Sequence, residues 1–237
     1  MLAIDVSTSM LAEDLKPNRL EAAKDVAAEF INGRPNDNIG ITLFAGESFT
    51  QCPLTVDHAV LLNLFQGIQC DIIEDGTAVG MGIANAVTRL KDSKAKSKVI
   101  ILLTDGTNNK GDISPLTAAE IAKSFGIRVY TIGVGTNGMA PYPYPVGNTV
   151  QYINMPVEID EKTLTQIAGT TDGNYFRATS NSKLKEVYEE IDKLEKTKLN
   201  VKEYSKREED YRWFALAAFL CVLLEVLLRN SILKKIP

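Results

Sequence analysis

The amino-acid sequence predicts an α/β fold built on a doubly wound, mostly parallel sheet with one antiparallel edge strand. Short, nearly continuous apolar runs alternate along the chain with amphipathic helical patterns, and this alternation is typical of right-handed crossovers between parallel strands. One further strand follows its predecessor too closely for a crossover, which predicts an antiparallel edge. Hydrophobic residues make up 45% of the 237 residues and charged residues 24%, so the chain has enough apolar material for a core.

Four apolar runs are typical of strands that are covered on both faces, because they lack the alternation of a half-exposed strand. These runs are residues 2–4, 39–44, 99–103 and 129–134. Residues 48–54 follow the second run after a very short connection. That connection is long enough only for a hairpin, so we expect the antiparallel edge strand there.

Apolar residues recur at helical spacing between these strands. In the first helix the apolar face comprises Leu20, Ala23, Ala27, Phe30 and Ile31. Asn18 stands just before this helix, and Glu21 lies three positions after Asn18. The two residues form a predicted capping pair at the start of the helix. Further helices are predicted at 57–67, at 79–90, in a segment that ends at 125, and at 179–196.

The sequence predicts four regions. Residues 1–196 form the α/β domain, 197–210 a charged stalk, 211–233 a transmembrane helix and 234–237 a short basic tail. Within the domain, residues 137–157 carry four prolines and three tyrosines without helical spacing, which predicts a hairpin-like insertion with a surface for a partner. Only three strand residues precede Asp5, whereas strands usually have about five or six. We therefore expect that the first strand is truncated and that the natural chain begins upstream, where a signal or an anchor could lie.

The predicted transmembrane helix depends on an apolar run at residues 213–228, in which Glu225 is the one charged residue. As a helix, residues 211–233 would be about 34 Å long, enough for a hydrocarbon layer of about 30 Å. A buried amphipathic helix is the alternative, although no polar stripe runs through the segment. Basic residues flank both ends, so charge does not settle the orientation. Glu225 either pairs with another subunit or reaches the interface near Arg229.

Composition excludes several classes of function. The chain has 26 Lys and Arg residues against 30 Asp and Glu residues, a formal net charge of −4, which argues against a nucleic-acid partner. With one histidine, His58, and three cysteines, a Cys/His zinc site is excluded, so any metal must be bound by oxygen. Cys52 and Cys70 either form a disulfide, as an extracytoplasmic domain would allow, or are free thiols.

Polar residues follow three of the predicted apolar segments. Asp5, Ser7 and Ser9 come after the first strand, Thr77 opens the helix at 79–90, and Asp105 follows the strand at 99–103. In a doubly wound sheet, loops at the carboxyl ends of neighbouring strands face one crevice. Two carboxylates and three hydroxyls form an all-oxygen set that suits Mg²⁺, or Mn²⁺ in its place. The sequence therefore predicts one divalent metal site.

This arrangement resembles the von Willebrand factor A domain and its metal-ion-dependent adhesion site. The resemblance covers about residues 1–195, and the metal ligands that it implies are Asp5, Ser7, Ser9, Thr77 and Asp105. It also implies a protein partner whose Asp or Glu side chain completes the metal shell.

Residues 5–24, 73–80 and 157–168, together with the predicted C-terminal anchor, are similar to the bacterial Bat-type aerotolerance membrane proteins. That resemblance implies an inner-membrane protein with an extracytoplasmic domain that works in an envelope complex with related membrane proteins. The chain departs from the family in lacking membrane segments before the domain. Cys52 and Cys70 are also not needed by the metal-site pattern.

Two classes of function remain open. The first is a membrane-anchored, metal-dependent protein-binding module, and the second is a metal-dependent hydrolase, phosphatase-like, that uses the same crevice. Hydrolysis needs a nucleophile or a base beside the metal. The three motifs, at residues 5–9, 75–77 and 104–106, contain neither His nor Lys, and position 7 is Ser where a phosphatase would have a second Asp. We therefore expect the binding module and no enzymatic activity.

Overall fold

The computed structural model describes residues 1–70, 72–136, 138–146, 149–205 and 211–231. The chain divides into two compact units, Met1–Glu195 and Lys196–Pro237. The first unit contains the sheet and most of the helices. The predicted basic tail at 234–237 lies outside the described residues, as do 206–210 of the predicted stalk. The predicted region boundaries are not tested and stay predictions.

The first unit contains a six-stranded sheet and a separate two-stranded sheet. The strands are β1 (Leu2–Asp5), β2 (Ile39–Phe44), β3 (Ser48–Thr55), β4 (Lys98–Thr104), β5 (Ile127–Val134), β6 (Gly138–Val146), β7 (Thr149–Val157) and β8 (Tyr175–Ala178). The large sheet has the order β3-β2-β1-β4-β5-β8, in which β3 alone is antiparallel to its neighbour. The predicted mostly parallel sheet with an antiparallel edge strand is therefore confirmed.

Helices cover both faces of the large sheet. They are α1 (Arg19–Asn32), α2 (His58–Gln66), α3 (Val79–Leu90), α4 (Pro115–Ser124), α5 (Glu161–Thr170), α6 (Asn181–Ser205) and, in the second unit, α7 (Tyr211–Ser231). Apolar residues of α1, α2 and the first half of α6 form one core cluster, and those of α3, α4 and α5 form the other. On β1 the side chains alternate between the clusters: Leu2 and Ile4 join the first and Ala3 joins the second.

The helix boundaries follow from local sequence. Asn18 caps α1, since its side chain accepts a hydrogen bond from the Glu21 backbone N–H at 2.8 Å, as the capping pair predicts. Ser114 caps α4 in the same way, with Pro115 in the first turn. Two elements were not predicted, α5 and β8. The latter has only four residues, three of them half-buried, so it carries little apolar signal.

The insertion at 137–157 contains the two-stranded sheet of β6 and β7, which pair antiparallel from Gly138 opposite Val157 to Val146 opposite Thr149. The hairpin is joined to the loop after β1, where the backbone N–H of Glu13 donates to the carbonyl of Pro141 at 2.8 Å. Its first residues therefore lie at the same edge of the sheet as the predicted metal ligands.

The second unit contains the helix α7. Apolar side chains along it are exposed, among them Leu216, Phe219, Leu220, Val222 and Leu224. A search of the described residues finds no helix with both the length and the apolar character needed to cross a membrane. The predicted transmembrane helix over 211–233 is thus not confirmed.

Candidate metal centre

The predicted site residues follow strands that are neighbours in the sheet. β1 pairs in parallel with both β2 and β4, with Leu2 opposite Ile41 on one side and Ile101 on the other. The carboxyl ends of β1 and β4 therefore lie side by side, and Asp5 and Asp105 meet there. The prediction of a single crevice required these two strands to be neighbours, and they are.

Asp5, Ser7, Ser9 and Asp105 are joined by hydrogen bonds. The Asp5 carboxylate accepts from the Ser7 backbone N–H at 3.0 Å and from the Thr104 hydroxyl at 2.5 Å. The hydroxyls of Ser7 and Ser9 are 3.0 Å apart, and the Ser9 hydroxyl donates to Asp105 Oδ1 at 2.7 Å. Asp5, Ser7 and Asp105 are buried, whereas Ser9 is exposed. The cluster is therefore closed on the protein side and open to solvent at Ser9.

Thr77 lies beside the same loop, next to the residue that follows Asp105. A Cβ atom added to Gly106 would stand 3.3 Å from Thr77 Oγ1, which places this hydroxyl against the Asp105–Gly106 turn. Thr77 is buried, and its backbone N–H donates to Asn109 Oδ1 at 2.8 Å. All five predicted residues thus come to one edge of the sheet, although within the described residues the Thr77 side chain makes no hydrogen bond to the other four.

The two buried carboxylates carry an electrostatic cost. Burial, reinforced by the negative charge of Asp105, raises the pKa of Asp5 to about 7. Burial likewise raises the pKa of Asp105, although Arg19 opposes that change. A positive charge placed between these carboxylates would remove this cost, because an opposite charge favours the ionised form. This observation fits a cation site, and the hard oxygen donors fit Mg²⁺ or Mn²⁺.

Arg19 is a component of the site that the sequence did not reveal. Its guanidinium is buried, donates to both oxygens of Asp14 at 2.7 Å, and donates from Nη1 to Asp105 Oδ2 at 2.5 Å. Asp14 in turn accepts from the Thr136 backbone N–H at 2.7 Å. Burial opposes ionisation of Asp14, but the bonds from Arg19 and Thr136 lower its pKa to about 2.

This ion-pair network joins the loops after β1, β4 and β5. Gly135 lets the chain pass close to the guanidinium: its φ of +131° disfavours other residues, and an added Cβ would stand 2.7 Å from Arg19 Nη2. The sequence offered no signal for this arrangement, since Arg19 occupies an ordinary position in the first turn of α1.

A second set of contacts fixes the rim of the crevice. Asp75 accepts from both the backbone N–H and the hydroxyl of Thr8, at 3.0 and 2.9 Å, and so ties the loop before α3 to the loop after β1. The Lys110 ammonium donates to Glu74 at 2.5 Å. The methylene chain of Lys110 lies against Gly76, where an added Cβ would be 2.6 Å away. These residues hold the two loops around Thr77.

The donor set depends on hydroxyl groups. Among the residues that the structure describes, no group of three or more His, Cys, Asp and Glu side chains could hold a metal ion. Two carboxylates, those of Asp5 and Asp105, would be supplemented by the hydroxyls of Ser7, Ser9 and Thr77. Small carboxylate numbers are ordinary for Mg²⁺, which keeps several of its waters.

Cys52 and Cys70 are not joined by a disulfide, which was one of the two predicted alternatives. Cys52 is a buried thiol on β3, and Cys70 is a half-buried thiol whose Sγ donates to the Ser7 carbonyl at 3.4 Å; neither is in a disulfide. Burial raises the pKa of the Cys52 thiol. Of the two alternatives, the structure has separate thiols and no disulfide between Cys52 and Cys70.

These features define a class of protein: a doubly wound α/β domain with an oxygen-lined crevice at the carboxyl ends of two neighbouring strands. Residues 1–190 match the model of the von Willebrand factor type A domain. The chain belongs to this family.

Relatives of known sequence extend this result. A UPF0353 protein of Mycolicibacterium paratuberculosis is 33% identical over 202 residues, which cover 79% of this chain and 57% of that protein. An uncharacterized protein of Borreliella burgdorferi is 27% identical over 238 residues, covering all of this chain and 70% of the relative. The chain thus spans between about half and about two thirds of the length of these relatives.

Solved structures agree with the predicted resemblance to aerotolerance proteins. The chain is 34% identical to an aerotolerance-related membrane protein from Bacteroides fragilis, with a TM-score of 0.70 over 81% of this chain and 98% of the other. It is 34% identical to the conserved hypothetical protein BatB from Bacteroides thetaiotaomicron, with a TM-score of 0.72 over 82% and 97%. Proximal thread matrix protein 1 of the mussel byssus, solved with zinc in its MIDAS motif, is 25% identical, with a TM-score of 0.63 over 81% and 44%.

Proposed function

We propose that this protein is a divalent-cation-dependent protein-binding module of a bacterial envelope. Mg²⁺ or Mn²⁺ would be held by Asp5, Ser7, Ser9, Thr77 and Asp105. The observation that carries the proposal is the buried, hydrogen-bonded cluster of two carboxylates and two serine hydroxyls, which opens to solvent at Ser9. When bound, the cation supplies a coordination position for an Asp or Glu side chain of another protein.

The residues around the cluster keep its carboxylates in place. Thr104 holds one oxygen of Asp5, and Arg19 holds one oxygen of Asp105, which leaves the second oxygen of Asp105 directed at Ser9. Such preorganisation reduces the entropy that is lost when ligand atoms are fixed. The exposed Ser9 marks the side from which a partner's carboxylate would approach.

Binding, rather than hydrolysis, is the activity that we propose. The side chains that donate to the two carboxylates, within the described residues, belong to Ser7, Ser9, Arg19 and Thr104, and none of them is a general base at neutral pH. The test is an assay of the full chain with Mg²⁺ and a generic phosphate ester. Turnover that Asp5→Asn abolishes would establish the hydrolase instead.

We also propose that the protein is held at the bacterial inner membrane with its α/β domain outside the cytoplasm. The exposed apolar side chains of α7 and the likeness to proteins described as membrane proteins support this proposal. The protein should sediment with membranes and resist extraction by carbonate, while the domain should be cut by protease added to spheroplasts. Recovery in the soluble fraction would contradict it.

The metal site is tested by titrating the full chain with Mg²⁺ in a calorimeter. We expect one binding event that Asp5→Asn abolishes, because this change removes one of the two buried negative charges. The matched control is Asp57→Asn, which removes the same charge from the N-cap of α2 and keeps a side chain that can cap the helix. Equal affinity of the wild type and Asp5→Asn would refute the site.

A protein partner is tested by affinity capture from membranes of the native bacterium, with Mg²⁺ and with EDTA. A partner should be retained by the wild type and by Asp57→Asn in Mg²⁺ only. It should be lost with Asp105→Ala, provided that this variant keeps the wild-type circular dichroism spectrum. Capture that is indifferent to EDTA would contradict a metal-dependent contact.

A further inference from the structure

The hairpin formed by β6 and β7 has two edges with different main-chain chemistry. Pro141 stands opposite Asn154, and Pro143 stands opposite Tyr152. Proline has no N–H, so these opposed residues are non-hydrogen-bonded pairs whose main-chain groups point away from the partner strand. The Pro141 carbonyl shows this direction, since it accepts from the Glu13 N–H outside the hairpin.

The same register fixes the outer edge of β7. Val150, Tyr152 and Asn154 each stand opposite a proline of β6, in a pair that is not hydrogen-bonded. Their backbone N–H and C=O groups therefore point away from β6, toward the outer edge. Among the described residues, β6 is the only strand that pairs with β7. The edge of β7 therefore presents three donors and three acceptors at alternate positions, whereas the edge of β6 lacks the corresponding donors at its prolines.

The edge of β7 has little of the protection that is usual for an exposed strand, since edge strands are commonly blocked by charged side chains or by proline. Pro156, opposite Met139, closes the outward edge at its C-terminal end, but residues 150–154 contain no proline. Residues 138–157 contain no charged residue, in a chain in which 24% of the residues are charged. Val150, Tyr152, Ile153 and Met155 are each between 46% and 59% exposed. An uncharged strand with open donors and acceptors is suited to pairing with another strand.

We propose that β7 pairs antiparallel with β7 of a second copy of this chain, which joins two hairpins into one four-stranded sheet. The twofold axis passes beside Tyr152, so that Tyr152 lies opposite its own counterpart and Val150 lies opposite Asn154 of the second copy. This register uses every outward N–H between 150 and 154, in about six main-chain hydrogen bonds.

The second copy is favoured as the occupant because β7 is complementary to itself. A twofold contact brings each patch against its own copy, so any unpaired charge near the axis would meet a like charge. β7 itself has no charged residue. The Glu13 carboxylate accepts a hydrogen bond from the Tyr152 hydroxyl, and its charge is paired with the Lys16 ammonium at 3.2 Å. Its β-branched and aromatic residues, Thr149, Val150, Tyr152, Ile153 and Val157, are those that favour cross-strand pairs. The dimer does not depend on the metal site.

Cysteine cross-linking of the full chain in detergent tests the register. In a Cys70→Ser, Cys221→Ser background, the added change Tyr152→Cys places two thiols on residues whose Cα atoms would be about 5.5 Å apart, within disulfide range. Oxidation with diamide should convert most of the protein to a linked dimer. The control Met139→Cys, which is equally exposed but lies on β6, should stay monomeric.

A proline substitution separates edge pairing from other association. Asn154→Pro removes an outward N–H and leaves the bonds between β7 and β6 in place, so it should abolish the cross-link of Tyr152→Cys. Asn154→Ala keeps the N–H and should retain it. No cross-link at 152, an equal one at 139, or a cross-link that survives Asn154→Pro would overturn the proposal. The cross-link should persist in EDTA and with Asp5→Asn. The dimer proposal and the metal-site proposal can therefore be refuted separately.

Discussion

Removing the positive charge of Arg19 tests the role of the buried ion-pair network. Its side chain is 3% exposed, and those of its partners Asp14 and Asp105 are 4% and 0% exposed. Arg19→Gln leaves both carboxylates buried without a compensating charge, and breaking a buried pair in this way costs about 3–5 kcal/mol. That loss is a large fraction of a typical unfolding free energy of about 5–15 kcal/mol.

The assay is urea denaturation of the full chain, followed by circular dichroism, with EDTA and with saturating Mg²⁺. Arg19→Gln should lose most stability in EDTA and regain part of it in Mg²⁺, since a cation would then neutralise Asp105. Arg19→Lys keeps the charge but loses the two-pronged contact to Asp14, so its free energy of unfolding should lie between those of the wild type and Arg19→Gln. In the control Lys183→Gln, which breaks an exposed pair with Glu186, stability should not change measurably. A loss below about 1 kcal/mol for Arg19→Gln would refute the reasoning.

Three further predictions follow from single contacts. Thr77→Val keeps the shape of the side chain but removes its hydroxyl, and calorimetry should show an affinity for Mg²⁺ lower by at least about tenfold. Glu195 is buried, but bonds from Tyr130, Ser97 and Arg128 keep its pKa below the usual value. Its contribution to stability is therefore present above the unfolded pKa and is lost as the pH falls through the lower folded value. Denaturation should show that Glu195→Gln costs about 2 kcal/mol at pH 7 and little in strong acid. Gly80→Ala would place a Cβ 2.0 Å from the Ile113 carbonyl and should cost at least about 1–3 kcal/mol, whereas Gly169→Ala, with nothing within 4 Å, should not destabilise the fold.

Much of the fold could be predicted because its signals are local. Apolar runs mark the buried strands, and periodic apolar residues mark α1 and α3. The five candidate ligands were found because each stands at a strand end or a helix start, and strand adjacency then brings them together. β8 escaped because its four residues are mostly half-buried at an edge.

Other features depend on contacts between distant residues, which no local pattern reveals. Asp14 and Asp105 flank Arg19 only after α1 has packed on the sheet, so its ion pairs are a product of the tertiary structure. The spacing of Cys52 and Cys70 also could not decide between separate thiols and a disulfide.

The central claim is that loops after β1 and β4 and before α3 hold one divalent cation for another protein's carboxylate. The most direct measurement is anomalous diffraction from crystals soaked in MnCl₂. The account predicts a single strong peak among the side chains of Asp5, Ser7, Ser9, Thr77 and Asp105. Crystals of the same chain with no peak there, or with the manganese bound elsewhere, would contradict it.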